Sequence, residues 1–461
     1  MNDRIKDLLQ KNPSDEIVTA EGWVRTKRDS KNVCFLELND GSCLKGLQIV
    51  IDKAALNNNN LLSKITTGSS IVAHGPIVKS AGGNQAVEMQ SSDLTILGEA
   101  GNEYPLQKKR HSIEYLREIG HLRARTNLIG AVMRVRNTLA FGVHEFFQQN
   151  GFVYVNTPLI STSDCEGAGE MFQVTTLDLN NVPKTEDGGV DYSKDFFGKM
   201  ANLTVSGQLE GETYAMALKN IYTFGPTFRA ENSNTKRHLA EFWMIEPEMA
   251  FCDLQLDMEI AEDFLKFLFK KVLNECKEDM EFFSKFVEKG VKETLELVVN
   301  TPFAHMTYTE AIDVLTKNND NFEYPVEWGS DLQTEHERYL TEVYCKSPVI
   351  VTDYPKEIKA FYMKLNEDKK TVRGMDVLVP RLGEIIGGSE RESDLETLKA
   401  RMKELDLNEE DYWWYLDLRR FGTVAHAGFG LGFERIVQYV TGVQNIRDVI
   451  PYPRTVGNAE F

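Results

Sequence analysis

The sequence has few cysteines and lacks the features that mark secreted or membrane-spanning proteins. Its six cysteines form no C-x-x-C pair among 461 residues, so reduced thiols are expected rather than a disulfide framework. No apolar run approaches the roughly 20 residues needed to cross a bilayer. The polar start MNDRIKDLLQ has no apolar signal-peptide core. These absences argue against a membrane protein and predict a cytoplasmic one.

The chain also lacks an excess of positive charge. It carries 52 Lys and Arg against 70 Asp and Glu, a net charge of −18, and such an average argues against a nucleic-acid partner. The average hides a regional difference, because residues 1–110 hold 14 basic and 13 acidic side chains, whereas residues 111–461 hold 38 and 57. The acidity therefore belongs to the C-terminal part, and an RNA partner for the N-terminal part stays possible.

The pattern of the first hundred residues is typical of β-structure. Five short runs of alternating or β-branched residues lie within residues 17–97, separated by Gly, Asn, Asp and Ser. Five short strands in about 85 residues predict a small closed barrel of the OB type. A connector with Pro105 and the basic cluster Lys108, Lys109 and Arg110 follows.

The remainder of the chain predicts one large α+β domain. Apolar residues recur at helical spacing from Asn127 to Gln149, and a second broad apolar helical face lies within residues 254–287. Short strand-like runs lie between and after these helices. A largely antiparallel sheet flanked by helices is therefore expected.

Two stretches carry most of the chemistry. The first is FRAENSNTKRHLAEF (228–242), a polar loop with arginine and glutamate between two apolar strand-like runs. Such a hairpin can hold cations over a polyphosphate and offer an aromatic ring to a base. The second is GFGLGFER (428–435), whose alternating glycines allow a ligand or another backbone to approach one strand face. Its spacing differs from the dinucleotide-binding G-x-G-x-x-G.

Together with GFVYVNTPLI (151–160), these stretches resemble the three motifs of class II aminoacyl-tRNA synthetases in order and spacing. Motif one would span about 127–160, motif two about 220–250 and motif three about 426–440. The N-terminal barrel resembles that of the aspartyl, asparaginyl and lysyl subclass. The residues of motif two and of the segments TDYPKEIKAFYMK and GEIIGGSERE are most similar to those of the asparaginyl members.

This resemblance implies a fold and a reaction. The fold is an anticodon-binding OB-fold barrel over 1–100, a hinge over 101–125, and a class II catalytic domain over 126–461 with a helix-flanked antiparallel sheet. The reaction is ATP-dependent ligation of L-asparagine to its tRNA through asparaginyl-adenylate, with release of AMP and pyrophosphate. Mg²⁺ would accompany ATP, and the chain would form a homodimer through motif one.

The resemblance also assigns individual residues. ATP is assigned to Arg229, Glu231, Arg237, His238, Phe242, Glu384 and Arg435, with Arg229 and Arg435 as the catalytic pair. Mg²⁺ is assigned to Asp376 and Glu384. Asparagine is assigned to Glu166, Ser206, Gln208, Glu212 and Arg391. The tRNA anticodon is assigned to Arg25, Phe35 and Gln48.

The choice between asparagine and aspartate depends on the segment SGQLEGE (206–212). Aspartyl enzymes carry a lysine at the position of Gly211, and this chain has none. Glu212 would accept a hydrogen bond from an amide and repel a carboxylate, while Arg391 would donate to the side-chain oxygen. We therefore expect asparagine, and expect Glu212→Gln or Glu212→Ala to raise the KM for asparagine while sparing ATP binding.

Three alternatives stay open at this point. A non-discriminating aspartyl-tRNA synthetase shares the motif-two sequence, although the absence of a lysine at Gly211 argues against this alternative. An inactive RNA-binding paralogue would be expected to lack Arg229, Arg435 or the acids assigned to Mg²⁺, and all are present. An ammonia-dependent asparagine synthetase shares the catalytic core and lacks the N-terminal barrel.

Overall fold

A computed structural model of the protein describes residues 2–56, 60–82, 85–165, 171–233 and 235–461. The chain divides into two compact units, Met1–Arg134 with Phe461, and Val135–Glu460. In the described ranges, no helix is both long enough and apolar enough to cross a membrane.

The first unit contains the predicted closed barrel. Its strands are β1 Ile17–Asp29, β2 Val33–Asn39, β3 Leu47–Asp52, β4 Ser70–Lys79, β5 Val87–Gln90 and β6 Asp93–Gly98. Strands β1, β2, β3, β5 and β4 pair in a closed ring, and β6 pairs with Ser70–His74 in the first half of β4. Short helices complete the unit: α1 Ile5–Leu8, α2 Asn60–Lys64, α3 Ile113–Glu118 and α4 Gly120–Arg123. The predicted five-stranded OB barrel is confirmed.

Alternation along the strands explains the barrel core. In β2, Cys34, Leu36 and Leu38 are buried, whereas Phe35 and Glu37 between them point outward and are half-buried. Because successive strand residues face opposite sides, one set fills the barrel and the other covers its surface. The β-branched runs noted in the sequence therefore supply one continuous apolar interior.

The second unit is built on an eight-stranded sheet of order β13-β14-β15-β16-β17-β12-β11-β7. Its strands are β7 Val153–Tyr154, β11 Asn220–Phe228, β12 Glu241–Ala250, β13 Ala304–Thr307, β14 Val349–Pro355, β15 Thr371–Val379, β16 Gly383–Glu390 and β17 His426–Gly432. A separate three-stranded sheet contains β8 Ile160–Ser161, β9 Gln173–Val174 and β10 Ala201–Leu203. All neighbours in the large sheet are antiparallel except β7 with β11 and β13 with β14.

Helices pack around this sheet, as the sequence predicts. They are α5 Asn127–Gln149, α6 Gln208–Leu218, α7 Leu254–Glu275, α8 Lys277–Phe286, α9 Val291–Asn300, α10 Tyr308–Thr316, α11 Thr334–Arg338, α12 Leu395–Glu404, α13 Trp413–Arg420 and α14 Phe433–Thr441. A π-helical turn, Tyr339–Tyr344, directly follows α11. The α+β fold class with an antiparallel sheet is confirmed.

The sheet order brings the three sequence motifs together. Strands β7, β11, β12 and β17 are consecutive neighbours, although they lie up to 280 residues apart in the chain. The glycines of β17 allow one of these contacts, because a Cβ at Gly428 would lie 2.3 Å from the carbonyl oxygen of Pro247. At Gly428 the close neighbour is therefore another strand.

Candidate active site

A cavity of about 220 Å³ lies between the motif-two hairpin, β16 and the junction of β17 with α14. We call it the ATP cavity. All seven side chains assigned to ATP from the sequence line it: Arg229, Glu231, Arg237, His238, Phe242, Glu384 and Arg435. Three segments that are distant in the chain therefore converge on one space. Contact of these side chains with ATP stays a prediction.

Arg229 and Phe242 are paired where the motif-two loop leaves and rejoins the sheet. The guanidinium carbon of Arg229 lies 5.4 Å from the centroid of the Phe242 ring. The Arg229 backbone N–H donates to the carbonyl oxygen of Ala240 at 3.0 Å, which holds the two sides of the loop together. A cation is attracted to the face of an aromatic ring. The arrangement places a cation that could bind a phosphate beside a flat surface on which a base could stack.

Two further arginines approach the cavity from the loop and from α14. Arg237 Nη1 donates to Thr334 Oγ1 at 2.9 Å, and Arg435 Nη1 donates to the carbonyl oxygen of Glu384 at 3.4 Å. The pKa of Arg237 is lowered, first by burial and then by the charge of Arg435. The two cations are thus close enough to oppose each other. A bound polyphosphate would remove that repulsion and accept charge-assisted hydrogen bonds from both.

The remaining loop residues are held by local hydrogen bonds. His238 Nδ1 shares hydrogen bonds with the hydroxyl groups of Ser233, at 3.0 Å, and Thr235. The Ser233 backbone N–H donates to the carbonyl oxygen of Glu231 at 2.9 Å. These bonds shape the loop before any ligand arrives, so less conformational entropy is lost on binding.

Asp376 and Glu384, the pair assigned to Mg²⁺, converge on one point of the sheet. A Cβ at Gly387 would lie 3.3 Å from Glu384 Oε1 and 3.6 Å from Asp376 Oδ1. Asp376 also accepts hydrogen bonds from Lys359 Nζ at 2.8 and 3.0 Å. The pKa of Glu384 is raised, first by loss of hydration and then by the charge of Asp376. Two hard oxygen donors that repel each other fit Mg²⁺.

The protein supplies only part of such a coordination shell. Across the described ranges, no three His, Cys, Asp or Glu side chains are arranged to hold a metal ion. Phosphate oxygens of a substrate and water would have to complete the shell, which is the usual situation for Mg²⁺ bound with a nucleotide.

A third carboxylate, Glu337, was absent from the sequence predictions. Its Oε2 accepts the backbone N–H of Glu384 at 3.2 Å. Its pKa is raised to about 8, first by burial and then by the charge of Glu384. A single acid in the charged stretch TEHER gives no sequence signal, because such stretches are usually solvated helix faces.

Of the residues assigned to asparagine, Gln208 and Glu212 lie on α6, Ser206 precedes that helix, Arg391 follows β16, and Glu166 lies outside the described residues. Glu166 belongs to residues 166–170, which the structure does not describe. Ser206 Oγ donates to Glu246, whose Oε2 also accepts the Gly207 backbone N–H at 3.0 Å and Thr223 Oγ1 at 2.9 Å. Glu246 was not predicted, and it places a buried carboxylate next to Ser206.

Glu212 is fully buried in a set of charged side chains that we call the buried network. Its members are Glu212, Glu248, Arg391, Arg419 and His426. Glu212 accepts hydrogen bonds from Arg419 Nη2 at 3.1 Å and from Tyr415 Oη at 2.9 Å, and its Oε2 lies 3.0 Å from His426 Nε2. Gln208 Nε2 donates to Glu212 Oε1 at 3.2 Å. Burial opposes ionisation, yet Arg419 and His426 outweigh it and lower the pKa of Glu212.

Arg391 is paired with a different acid, Glu248. Its Nη2 and Nε donate to the two oxygens of Glu248, the second at 3.2 Å, and its Nη1 donates to Ser389 Oγ at 2.8 Å. Burial raises the pKa of Glu248 to about 8, although Arg391 acts in the opposite direction. In the described part of the chain, Glu212 accepts hydrogen bonds from Gln208, Tyr415 and Arg419, whereas Glu248 accepts them from Arg391. Glu248 is therefore the stronger candidate for the acceptor of an amide.

The space around Gly211 shows what a lysine at this position would contact. A Cβ at Gly211 would lie 3.4 Å from Ile221 Cδ1 and 3.8 Å from Glu248 Cγ. A lysine at this position would therefore extend beside Glu248 and add a cation to the buried network. Glycine leaves that space to Glu248 and Arg391 alone, which suits a neutral side chain better than a carboxylate.

The three residues assigned to the anticodon, Arg25, Phe35 and Gln48, lie on the barrel of the first unit. Phe35 and Gln48 occupy the same outer face, because Phe35 pairs with Val50 and Gln48 is two residues from Val50 on β3. The guanidinium of Arg28 lies 4.5 Å from the Phe35 ring centroid. Gln48 Nε2 donates to Glu88 Oε2 at 2.9 Å, and Arg25 Nη2 donates to Asn39 Oδ1 at 3.3 Å. An aromatic ring, an amide and a cation are thus available on this unit.

Comparison with known proteins matches both parts of the chain to known families. Residues 112–456 match the family model of class II tRNA synthetases (D, K and N), and residues 18–97 match that of the OB-fold nucleic acid binding domain. The asparagine--tRNA ligase of Acetivibrio thermocellus is 63% identical over 446 residues, which cover 97% of this chain and 96% of that protein. The asparagine--tRNA ligase of a Picosynechococcus species is 59% identical, with 99% and 100% covered.

A solved structure gives the same result for the fold. The asparaginyl-tRNA synthetase of Pyrococcus horikoshii complexed with asparaginyl-adenylate superposes with a TM-score of 0.86 at 32% identity, covering 100% of this chain and 99% of that one. On these full-length similarities, the chain belongs to the class II tRNA synthetases of the D, K and N group, and within it to the asparaginyl-tRNA synthetase family.

Proposed function

We propose that this chain ligates L-asparagine to its cognate tRNA at the expense of ATP, through an asparaginyl-adenylate. The observation that carries the proposal is the convergence of three arginines, the Phe242 ring and Glu384 on the ATP cavity, with Asp376 close to Glu384 and the buried Arg391–Glu248 pair in the same unit. Full-length relatives with this activity at about 60% identity support it.

In the first step an oxygen of the asparagine carboxylate attacks the α-phosphorus of ATP. The bond from that phosphorus to the bridging oxygen of the β-phosphate breaks, and pyrophosphate leaves with the electron pair. Arg229 would contact the α-phosphate and the attacking carboxylate, while Arg237 and Arg435 would hold the outer phosphates. Positioned cations that match the developing charge supply most of the acceleration in such a site, and a side-chain nucleophile is not required.

Mg²⁺ fits this proposal because two acids and a polyphosphate could share it. Asp376 and Glu384 would hold the ion, and when bound it would neutralise charge on the phosphates. Two hydrogen bonds from Lys359 fix the position of the Asp376 carboxylate in the structure.

Recognition of asparagine would depend on Arg391 and Glu248. Arg391 would donate to the side-chain oxygen of asparagine and Glu248 would accept from its NH₂ group, so that both halves of the amide are satisfied. Glu246, beside Ser206, would face the substrate ammonium. An aspartate carboxylate offers no N–H group to Glu248, so a buried acceptor would be left unpaired, which costs roughly 1–3 kcal/mol or more. The aspartyl alternative is therefore disfavoured.

In the second step a ribose hydroxyl at the 3′ end of tRNA attacks the acyl carbon of the adenylate. The acyl–phosphate bond breaks, AMP leaves with its electron pair, and the proton of the hydroxyl group is released. The barrel would bind the anticodon through Phe35, Gln48 and Arg25, with a base stacked on the ring at about 1–3 kcal/mol. Phe35→Ala should then raise the KM for tRNA about tenfold and leave ATP–pyrophosphate exchange unchanged. Leu97→Ala, an exposed residue of the same barrel, is the matched control.

We further propose a cytoplasmic homodimer with Mg²⁺ bound alongside ATP. Strand β7 is the edge of the large sheet, and Val153, Tyr154, Leu159 and Ile160 around it are exposed apolar side chains. An exposed apolar strand edge is unfavourable in a monomer and supports a second copy of the chain there. Sedimentation velocity would detect the dimer.

One experiment tests the central proposal. Amino-acid-dependent ATP–pyrophosphate exchange is measured with asparagine and with aspartate in parallel. Exchange with asparagine is expected to exceed that with aspartate by at least the tenfold that one mispaired polar group provides. Exchange with aspartate alone would overturn the proposal, and exchange with neither would support the inactive paralogue.

A further inference from the structure

The segment Thr334–Tyr344, which consists of α11 and the π-helical turn, is anchored to the protein on one side. Glu335 accepts the backbone N–H groups of Glu323 and Tyr324 at 3.0 and 2.9 Å. The buried ring of His336 is hydrogen-bonded through Nε2 to the carbonyl oxygen of Tyr324 at 2.8 Å and accepts the backbone N–H of Gln333 at 3.0 Å through Nδ1. This short helix is thus fixed in position by hydrogen bonds from its own side chains.

The other side of the same helix contacts the ATP cavity. Thr334 and Glu337 are three residues apart, so they lie on one helix face. Thr334 Oγ1 accepts the hydrogen bond from Arg237 Nη1 at 2.9 Å, and Glu337 Oε2 accepts the backbone N–H of Glu384 at 3.2 Å. Both contacted residues line the ATP cavity. This one helix therefore contacts the side chain of Arg237 and the backbone of Glu384, which come from distant segments.

The π-helical turn contributes a second hydrogen bond to the same part of the sheet, near the start of β16. Glu342 accepts the backbone N–H of Arg381 at 2.7 Å, in the turn between β15 and β16, and is itself held by Arg338 at 2.8 and 3.0 Å. Gly383 follows with φ of +90°, and a Cβ there would lie 2.1 Å from Glu337 Oε2. Glycine at 383 thus lets Glu337 reach the start of β16, where Glu384 begins to line the cavity.

We propose that Thr334–Tyr344 is the positioning element for the triphosphate end of ATP, in which Thr334 positions Arg237 and Glu337 positions Glu384. The inference rests on the proposed function, because it concerns the same cavity. Neither Thr334 nor Glu337 is a catalytic residue in this scheme, since each acts through the side chain or backbone that it holds. A π-helical turn beside a site is consistent with such a role, as these turns are frequent at functional sites.

The test for Thr334 is a double-mutant cycle on ATP affinity, measured by titration calorimetry with Mg²⁺ in the buffer. Thr334→Val removes the acceptor and keeps the shape, so the Kd for ATP should rise about two- to tenfold, the size of one hydrogen bond. Thr334→Ser keeps the hydroxyl group and should restore wild-type affinity. In an Arg237→Ala background Thr334→Val should have no further effect, because a residue that acts only through Arg237 is silent without it.

The test for Glu337 separates its acceptor from its charge. Glu337→Gln keeps an acceptor for the Glu384 N–H, whereas Glu337→Ala removes it. The Kd for ATP should rise more in Glu337→Ala than in Glu337→Gln, with the Kd for asparagine unchanged in both. Thermal unfolding of each variant is measured first. If Glu337→Ala does not fold, the Thr334 cycle still decides the proposal.

Two results would overturn the inference. One is an unchanged ATP Kd in Thr334→Val, and the other is an equal loss of affinity with and without Arg237, which would show a merely structural effect. Exchange activity of the unmodified protein is measured separately. Absence of asparagine-dependent exchange together with an intact coupling between Thr334 and Arg237 would reject the proposed function and keep the positioning element.

Discussion

The ATP cavity and the buried network, to which we assign ATP and asparagine, differ in how far their side chains are exposed to water. In the cavity, the side chains of Arg435 and Glu384 are 34% and 41% exposed. In the buried network, those of Arg391 and Glu212 are 3% and 0% exposed. A polyphosphate carries a large negative charge, so it would be attracted even by cations that remain exposed to water. A neutral amide brings little, and it is distinguished from a carboxylate only where water is excluded.

The difference has an energetic consequence. Removing one partner of a partly exposed ion pair costs little stability, because water replaces it. Removing one partner of a buried pair leaves an uncompensated charge in a medium of low polarity. Substitutions in the ATP cavity should therefore change rates, whereas those in the buried network should change both stability and specificity.

The largest expected effect is a loss of stability in Glu212→Ala. Arg419 and His426 would lose their buried acid, so the free energy of unfolding should fall by about 3–5 kcal/mol. Urea denaturation measures it. Glu210→Ala on the same helix is the control, because Glu210 accepts one hydrogen bond, from Ser161 Oγ at 3.2 Å, and should cost about 1 kcal/mol. Equal losses in the two variants would contradict the distinction between the regions.

The next effect is on rate, in Arg229→Ala. Loss of a cation at the developing charge should lower kcat for asparagine-dependent exchange by about 10²–10³-fold. The unfolding midpoint should change little, in contrast to Glu212→Ala. Arg420→Ala, an exposed arginine paired with Asp417, serves as the control for loss of one positive charge. A large loss of stability in Arg229→Ala would contradict the expectation that substitutions in the ATP cavity change rates and not stability.

A smaller effect separates Glu248 from Glu212 as the acceptor for asparagine. Glu248→Gln should raise the KM for asparagine about ten- to hundredfold, the size of one mispaired polar group, with the KM for ATP unchanged. Glu212→Gln is tested in parallel by the same exchange assay. A raised KM in Glu212→Gln alone would return the role to Glu212, as expected from the sequence.

The smallest effect is on the pH dependence of stability, and its sign differs between the two acids. Arg419 and His426 lower the pKa of Glu212 despite its burial, so its contribution is present at neutral pH and lost on acidification. Burial raises the pKa of Glu248 to about 8, so the folded protein binds that proton more tightly. Its contribution is present below the unfolded pKa of about 4.3 and lost as the pH rises toward 8.

Denaturation of Glu248→Gln and of the unmodified protein between pH 5 and 9 isolates this contribution. The unmodified protein should lose stability with rising pH relative to the variant, by at most about 1.4 kcal/mol per pH unit for one proton. Parallel curves for the two proteins would show that Glu248 does not hold a proton in the folded state.

The residues assigned from the sequence differ in how well a local pattern identifies them. Arg229, Arg237, His238 and Phe242 share one fifteen-residue stretch, and that stretch forms one hairpin. Residues that are close along the chain stay close in space when they form one hairpin. The sequence pattern was therefore enough to place these four residues in one cavity. The closed barrel and the antiparallel sheet were predictable for the same reason, because strand alternation is also local.

Glu246, Glu248 and Glu337 were not predicted, and the reason is physical. Each is one acid among 70 Asp and Glu, and nothing in its neighbours along the chain marks it. Glu248 becomes distinctive only because β12 places it within reach of Arg391, which is 143 residues away. Glu337 becomes distinctive only because α11 carries it to the start of β16.

The sequence by itself determined the strand and helix periods, the motif order and the absence of a lysine at Gly211, and these lead to the family and to asparagine. Only the tertiary structure decided which acid faces which cation. Charge pairing and burial depend on distance in space, and the distances between β12, β16, α11 and α13 arise from packing of the whole sheet. The net charge of −18 is a clear example, because the acids that we assign to the site are distinguished from the other acids of the chain by their partners and their burial, which depend on packing.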